Sequence, residues 1–304
     1  MDSVDKNILL ALDSNCRLSY QAIAESLGMT ANAVRKRVER LIDTGVIEEF
    51  TVAFKPAMMN SDYLVALIHT DGSEDEEEFI QISGSNPNII QVGQIVTSIG
   101  RTYLVHCEYI GAEGLKNLST FLRTLASVKD VELHTIVLLK GETFEIKNLH
   151  LRVLKQLLKD ARMQVTEISE RTGLTARRVS RIIQELLESH AFWFAARWNL
   201  SQGENAEFYL KIIYNEQECN RDEIDGFLRA EFAGEYWYSY FSAMEPILFA
   251  KFVTKHFRDA ELISSRIKNE CFTKSIDILL SFPVKKFPRL GRIRLEKMIS
   301  EANL

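Results

Sequence analysis

The sequence predicts an α+β fold in which two winged helix-turn-helix domains alternate with two ferredoxin-like βαββαβ domains. Three observations predict it. Displaced by 145 positions (173 − 28), the chain matches itself without a gap: Leu9 falls on Leu154, Leu12 on Leu157, Arg17 on Arg162, Ile23 on Ile168, Gly28 on Gly173, Thr30 on Thr175, Val34 on Val179 and Leu41 on Leu186. Each copy opens with apolar residues at helical spacing, broken by a glycine-centred turn. Behind each opening the apolar period changes from 3.6 to 2, in the order β-α-β-β-α-β. Two copies are too few for a solenoid, so the repeat is a duplicated module.

The first copy begins with a helix over Val4–Ser14, apolar at Ile8, Leu9 and Leu12. Ser19 is placed to cap a second helix, Tyr20–Leu27. Gly28-Met29-Thr30 is a tight turn, with glycine for positive φ and Thr30 as N-cap of the third helix, Ala31–Thr44. Gly45 ends that helix, and Val46–Phe54 alternates like a wing. The second copy repeats this with Leu149–Lys159, Val165–Thr172, Ala176–Ser189 and a wing at His190–Trp198.

The first βαββαβ segment reads Tyr63–Thr70, Glu74–Ser83, Ile89–Thr97, Thr102–Tyr109, Glu113–Leu125 and Val131–Leu139. The second reads Glu207–Tyr214, Arg221–Phe232, Tyr236–Ser242, Ile247–Thr254, Arg258–Asn269 and Thr273–Phe282. The domain division is therefore 1–55, 56–142, 143–200 and 201–290, with a C-terminal extension over 291–304. No low-complexity linker separates the halves, so they are expected to pack together.

Composition sets bounds. At 304 residues, 46% apolar and 26% charged, the chain has the profile of a globular protein with about two domains' worth of core. The polar start, Met1 to Lys6, is not a signal peptide, and no apolar run is long enough to span a bilayer. Cys16, Cys107, Cys219 and Cys271 are scattered, with no Cys-x-x-Cys pair, which points to a reduced, cytoplasmic setting and away from a zinc ribbon. Net charge is −5, but DNA binding needs a local basic face, not a basic whole.

That face is found on both third helices. With Val34, Val38 and Leu41 inward, a helical wheel turns Asn32, Lys36 and Arg40 outward, flanked by Arg35 and Arg37. In the second copy Arg177, Arg178, Arg181 and Gln184 point outward beside Ser180. A third helix after a glycine turn is the element that enters the major groove, where Arg and Lys reach guanine and Asn and Gln reach adenine. The DNA-contacting set is then Thr30, Asn32, Arg35, Lys36, Arg37 and Arg40, with Thr175, Arg177, Arg178, Ser180, Arg181 and Gln184. The plain alternative is a solvated basic face.

Asp5-Lys6-Asn7-Ile8-Leu9, Arg17-Leu18-Ser19, Ile23 to Thr30, Val34 to Leu41 and Gly45-Val46-Ile47 together resemble the leucine-responsive (Lrp/AsnC) transcription regulators. The second copy resembles them more loosely. The resemblance implies that the βαββαβ segments are RAM-like domains that pair between protomers, that double-stranded DNA is the partner, and that chains form a homo-oligomer, here a dimer of pseudo-dimers. It also implies an amino-acid-like effector, with Ser98, Gly100 and Arg101 in the relevant turn. The family's Gly-x-x-Asp stretch is missing there: the turns read Thr97 to Thr102 and Ser242 to Pro246. No cofactor and no catalytic residue is assigned.

Two rival functions remain. Sirohaem decarboxylases resemble the same module pair, some of them fused, but that group tends to carry Arg-Arg at the wing start and Phe-Pro after the first helix, where this chain has Glu48-Glu49 and Arg17-Leu18. An interaction scaffold with one active DNA-binding head is the other. Among lesser features, Phe192-Trp193-Phe194 with Trp198 is either a base-stacking wing or, preferred here, a buried strand. His69, His106 and His134 lie on three strands and read as core or edge histidines sooner than as a metal set. The acidic run Glu74–Glu78 suits a helix N-terminus, not a calcium loop. Lys285, Lys286, Arg289, Arg292 and Arg294 form a tail that either touches phosphates or packs as a helix on the second sheet.

Overall fold

The computed structural model describes residues 1–97, 100–203 and 205–302. In order, it contains α1 (Ser3–Ser14), α2 (Tyr20–Leu27), α3 (Ala31–Asp43), β1 (Ile47–Phe54), α4 (Pro56–Met59), β2 (Ser61–Thr70), α5 (Glu76–Gly84), β3 (Ile89–Thr97), β4 (Gly100–Ile110), α6 (Gly111–Thr124) and β5 (Val128–Ile136). The second half adds α7 (Asn148–Leu157), α8 (Val165–Thr172), α9 (Ala176–Glu188), β6 (Phe192–Trp198), β7 (Ala206–Tyr214), α10 (Arg221–Glu231), β8 (Tyr236–Phe241), β9 (Ile247–Thr254), α11 (Arg258–Lys268), β10 (Thr273–Ser281), β11 (Lys285–Lys286) and α12 (Leu290–Glu301). No helix among the described residues is long and apolar enough to cross a membrane.

The chain does not fold as two consecutive halves. One compact unit gathers residues 1–60, 140–203 and 290–304, which are the two helical heads and the C-terminal helix. The other gathers 61–139 and 204–289, the two βαββαβ segments.

In the head unit the expected caps are present. Ser19 Oγ accepts from the Ala22 amide at 3.0 Å and Thr30 Oγ1 from Ala33 at 3.2 Å. Gly28 (φ 64°) and Gly173 (φ 67°) make the left-handed turns before the third helices. Val34, Val38 and Leu41 are buried on α3, as are Val179, Ile183 and Leu186 on α9. The wings differ from expectation. Instead of folding back as hairpins, β1 and β6 pair with each other, antiparallel, from Phe54↔Phe192 through Thr51↔Ala195 to Phe50↔Ala196 and beyond. Each strand ends its own head and completes the other's, with a pseudo-dyad between the pairs Phe50↔Ala196 and Thr51↔Ala195, which the 145-residue displacement exchanges.

That dyad is sealed reciprocally. Cys16 N donates to Phe194 O at 2.6 Å, and its repeat mate Ala161 donates to Phe50 O at 3.1 Å. Arg17 donates to the carbonyls of Ala161 (2.5 Å) and Met163 (3.2 Å), while Arg162 donates to those of Cys16 and of Leu18 (3.1 Å). The repeated arginine is thus a cross-brace between heads. Phe192 and Phe194 are buried in this seam, as the preferred reading of the aromatic strand required. The acidic pair Glu48 and Glu49 is met by Arg197 at 3.2 Å to each.

The tail reading needs correction. Lys285 and Lys286 form a strand on β3, and α12 packs in the head unit, not on the second sheet. Leu295 and Ile299 join the head core, and Arg292 donates to Thr51 Oγ1 (2.9 Å) and Leu158 O (3.1 Å). Gly291 permits the approach, since a Cβ there would stand 2.5 Å from the Phe54 carbonyl oxygen.

The sheet unit has strand order β5-β2-β4-β3-β10-β7-β9-β8. Each half has the ferredoxin-like order. The halves join at β3–β10 (Val96↔Leu280, Ile95↔Ser281) and again at β5–β8, where Ile136 bridges Ser242. Helices α5 and α6 cover the outer face of the first sheet and α10 and α11 that of the second. The inner faces meet in a core containing Tyr63, Val65, Leu67, Leu104, Tyr209 and Phe249.

Candidate nucleic-acid interface

The outward faces of α3 and α9 are not equally available. On α3, Arg37 Nη1 lies 2.8 Å from both Asp2 and Asp5, and Arg40 Nη2 lies 2.7 Å from Asp5. The Asp5 side chain is 1% exposed, so it requires these partners. Arg37 and Arg40, read from the sequence as DNA contacts, also hold α3 against α1, with 27% and 55% of their side chains left exposed. Helical spacing put them outward, but a carboxylate from the chain's first turn reaches them. Arg35 donates to Asn32 Oδ1 at 2.7 Å and lies 3.9 Å from Glu39; with Lys36 and Arg40 these residues stand exposed on the outward side of α3.

On α9 the same lock has reversed polarity. By the 145-residue displacement, Asp5 becomes His150 and Arg40 becomes Glu185. His150 Nδ1 accepts from the Lys147 amide at 3.0 Å, so its proton is on Nε2, 3.2 Å from Glu185. Arg181 pairs with Glu185 at 2.8 Å, and Gln184 donates to Glu188 at 2.6 Å. Arg177 and Arg178, in the first turn, are exposed and carry no ion pair among the described residues; Ser180 is exposed beside them. Thr175 Oγ1 accepts from Arg178 N at 3.3 Å, as Thr30 does in the first head, which leaves each hydroxyl proton for an outside acceptor.

The effector turn is only partly described: Ser98 lies outside the described residues. Gly100 begins β4, opposite Thr97. Arg101, 36% exposed, pairs internally with Glu74 through Nη1, 3.1 Å to the carbonyl and 3.5 Å to Oε1. Of the acidic run, Glu74 is thus a buried partner, and Asp75 caps α5 by accepting from Glu78 N at 2.9 Å.

The three histidines have separate roles. His69 meets Thr102 (2.9 Å), His106 meets the Tyr63 hydroxyl (2.8 Å) and His134 meets Glu132 (2.8 Å). No metal-competent group of His, Cys, Asp or Glu occurs among the described residues. Sequence reasoning missed how polar the inner sheet faces are. Glu108 pairs with Arg289 (2.7 Å), Lys251 with Glu207 (2.6 Å) and Lys211 with Glu132 (2.5 Å). The available signal was alternation: His106 and Glu108 share Leu104's face of β4, and Lys251 shares Phe249's face of β9.

Residues 1–48 and 146–190 match the winged helix-turn-helix DNA-binding family. An uncharacterized HTH-type transcriptional regulator of Pyrococcus horikoshii is 26% identical over 151 residues, which is 48% of this chain and 97% of that protein. Another, from Pyrococcus furiosus, is 35% identical over 75 residues, 25% of this chain; the match spans about half (51%) of its length. Among solved structures, the siroheme decarboxylase NirDL superposes with a TM-score of 0.60 at 16% identity, covering 99% of this chain and 98% of that one. At that identity the likeness is one of fold.

Proposed function

For a chain built as two Lrp/AsnC-type units in tandem, we propose a DNA-binding transcription regulator that acts as its own pseudo-dimer. Its two third helices present unlike faces to one duplex. The observation that carries this reading is the exposed, unpaired Arg177–Arg178 pair in the first turn of α9, related by the β1–β6 dyad to Asn32 and its neighbours on α3. Arginines there reach phosphates and guanine edges together. The relatives' regulator names and the family match of both heads support it.

The test is DNA binding of the full chain as a function of salt. Each lost phosphate contact lowers the log–log salt slope by about 0.9. Replacing Arg177 and Arg178 with Ala should flatten the slope by roughly 2 and weaken binding in all sequences tested. Unchanged affinity and slope would remove α9 from the interface and favour a scaffold with one active head.

A second reading, a sirohaem-decarboxylase-like enzyme, is favoured by one observation: the whole-chain likeness in fold to NirDL. Against it, the inner-face cations Lys211, Lys251 and Arg289 are each neutralised by a glutamate, a poor lining for a polycarboxylate. Incubation with sirohaem followed by gel filtration decides: porphyrin absorbance travelling with the protein, together with carbon dioxide release, would replace the regulator reading.

A further inference from the structure

Of the four cysteines, two are sealed and two are not. Cys16 and Cys107 are 0% exposed, and burial pushes the Cys16 thiol up to about 12 and the Cys107 thiol up as well. Buried thiols of that kind are inert. Cys219 is half-buried and Cys271 exposed, and both are free thiols. Neither lies on α3 or α9.

These two are 52 positions apart (271 − 219) and come to one end of the second βαββαβ segment through the pairing of β7 with β10. The last register pair is Tyr214↔Thr273, and Asn215 N extends it by donating to Phe272 O at 2.7 Å. Beyond that bond both chains turn. Asn215 O accepts from Glu218 N (3.1 Å) and Cys219 N (3.3 Å), which folds Cys219 back over Asn215. On the other chain Cys271 directly precedes Phe272, in a turn closed by Thr273 N donating to Glu270 O at 3.0 Å. One hydrogen-bonded pair, Asn215 and Phe272, therefore holds a cysteine beside each of its members. Cys219 also packs on the core that contains Phe272. The two thiols act on each other: burial and then the Glu223 carboxylate hold the Cys219 thiol above its ordinary range, and the charge of Cys271 adds to the effect. Cys219 lines a surface cleft with Tyr214, Glu216, Asn220, Arg221 and Asp222, so a small reagent can reach it.

We infer that Cys219 and Cys271 are a modification site, a dithiol that a low-molecular-weight disulfide converts to an intramolecular disulfide, tying the turn before α10 to the turn after α11. The more exposed Cys271, as thiolate, attacks one sulfur of the reagent, forms a mixed disulfide and expels one reduced thiolate. Cys219, as thiolate, then attacks the Cys271 sulfur, forms the Cys219–Cys271 bond and expels the second thiolate. The two protein thiols lose two electrons and two protons, and the reagent disulfide takes them up as two thiols. The raised Cys219 thiol makes it a slow first attacker, which suits the second role. Bridging requires Cα atoms within about 7 Å. Both residues lie in turns outside β7 and β10, so closing that distance leaves the strand ladder intact.

The test is equilibration of the full chain with reduced and oxidised glutathione at a series of ratios, in buffer and in denaturing urea, followed by acid quench, alkylation and peptide mass spectrometry. A chain lighter by two hydrogens, with a single Cys219–Cys271 cross-linked peptide, is expected in buffer. Half-oxidation should need an oxidised-to-reduced ratio at least roughly tenfold lower in buffer than in urea, because the fold gathers two thiols that a long loop otherwise separates. In Cys219→Ser, Cys271 should stop at the mixed disulfide with glutathione. In Cys271→Ser, modification of Cys219 should be roughly tenfold slower. Mixed disulfides at both cysteines of the native chain without a cross-link, equal half-oxidation in buffer and in urea, or cross-links scrambled among all four cysteines in buffer would each overturn the pairing.

Discussion

Asp5 and His106 are the residues whose roles least resemble what their neighbours in sequence suggest. The helical wheel located the outward face of α3 correctly, and Lys36 and Asn32 stand on it. It could not show that Asp2 and Asp5 would reach Arg37 and Arg40, because that contact joins residues more than thirty positions apart. His106 was legible only as a core or edge histidine; its bond to Tyr63 and its burial depend on a second sheet facing the first. A pH prediction belongs at this scale. His106 has its folded pKa near 3 against an ordinary 6.5, so the unfolded chain binds the extra proton across that interval. Stability is complete above pH 6.5 and is lost as pH falls toward 3. By pH 5 this group alone costs about 2 kcal/mol. Glu132, held down to about 2 by its bonds from His134 and Lys211 against the cost of burial, adds its loss only below its ordinary value of 4.5. Urea melts at pH 7 and pH 5 should therefore show the drop in the native chain and not in His106→Gln; an equal drop in both would show that His106 is not the titrating group.

Among the elements, helices and strands were legible almost completely, because caps, left-handed glycines and the change of apolar period are local signals. The partner of each strand was not. Val46–Phe54 and His190–Trp198 read as two wings, and the alternation within them is real; what pairs them is complementarity between heads across 145 residues, invisible to any local window. The same holds for α12, whose basic residues suggested a tail until Leu295 and Ile299 were found in the head core. Since β6 is shared, its core residues belong to both heads. Phe192 packs 5.4 Å from Phe54 and 6.0 Å from Phe144. Phe192→Ala should cost about 3–5 kcal/mol, lowering the urea midpoint of both heads in one transition. A two-step melt in which the first head keeps its native midpoint would mean that the heads are thermodynamically separate.

For the whole molecule, duplication within one chain releases the two heads from having to be identical while the dyad keeps them in a related frame. A symmetric dimer presents the same helix twice and therefore reads a palindrome. Here the dyad-related positions are Asn32 and Arg177, Ala33 and Arg178, Arg35 and Ser180, Lys36 and Arg181, and Glu39 and Gln184. Those pairs differ in hydrogen-bonding character, so each half of the DNA site should differ too. Selection from a random duplex pool should return a site with two unlike halves. The causal link is testable by making the heads alike. A chain carrying Arg177→Asn, Arg178→Ala, Ser180→Arg, Arg181→Lys and Gln184→Glu keeps the buried Val179, Ile183 and Leu186, and so keeps its fold. It should select an inverted repeat of the half-site that the first head reads. It should also bind the original site roughly tenfold or more weakly, through the loss of the α9 arginines. If the altered chain still selects two unlike halves, the asymmetry resides outside the third helices, and the faces compared here do not determine what the protein reads.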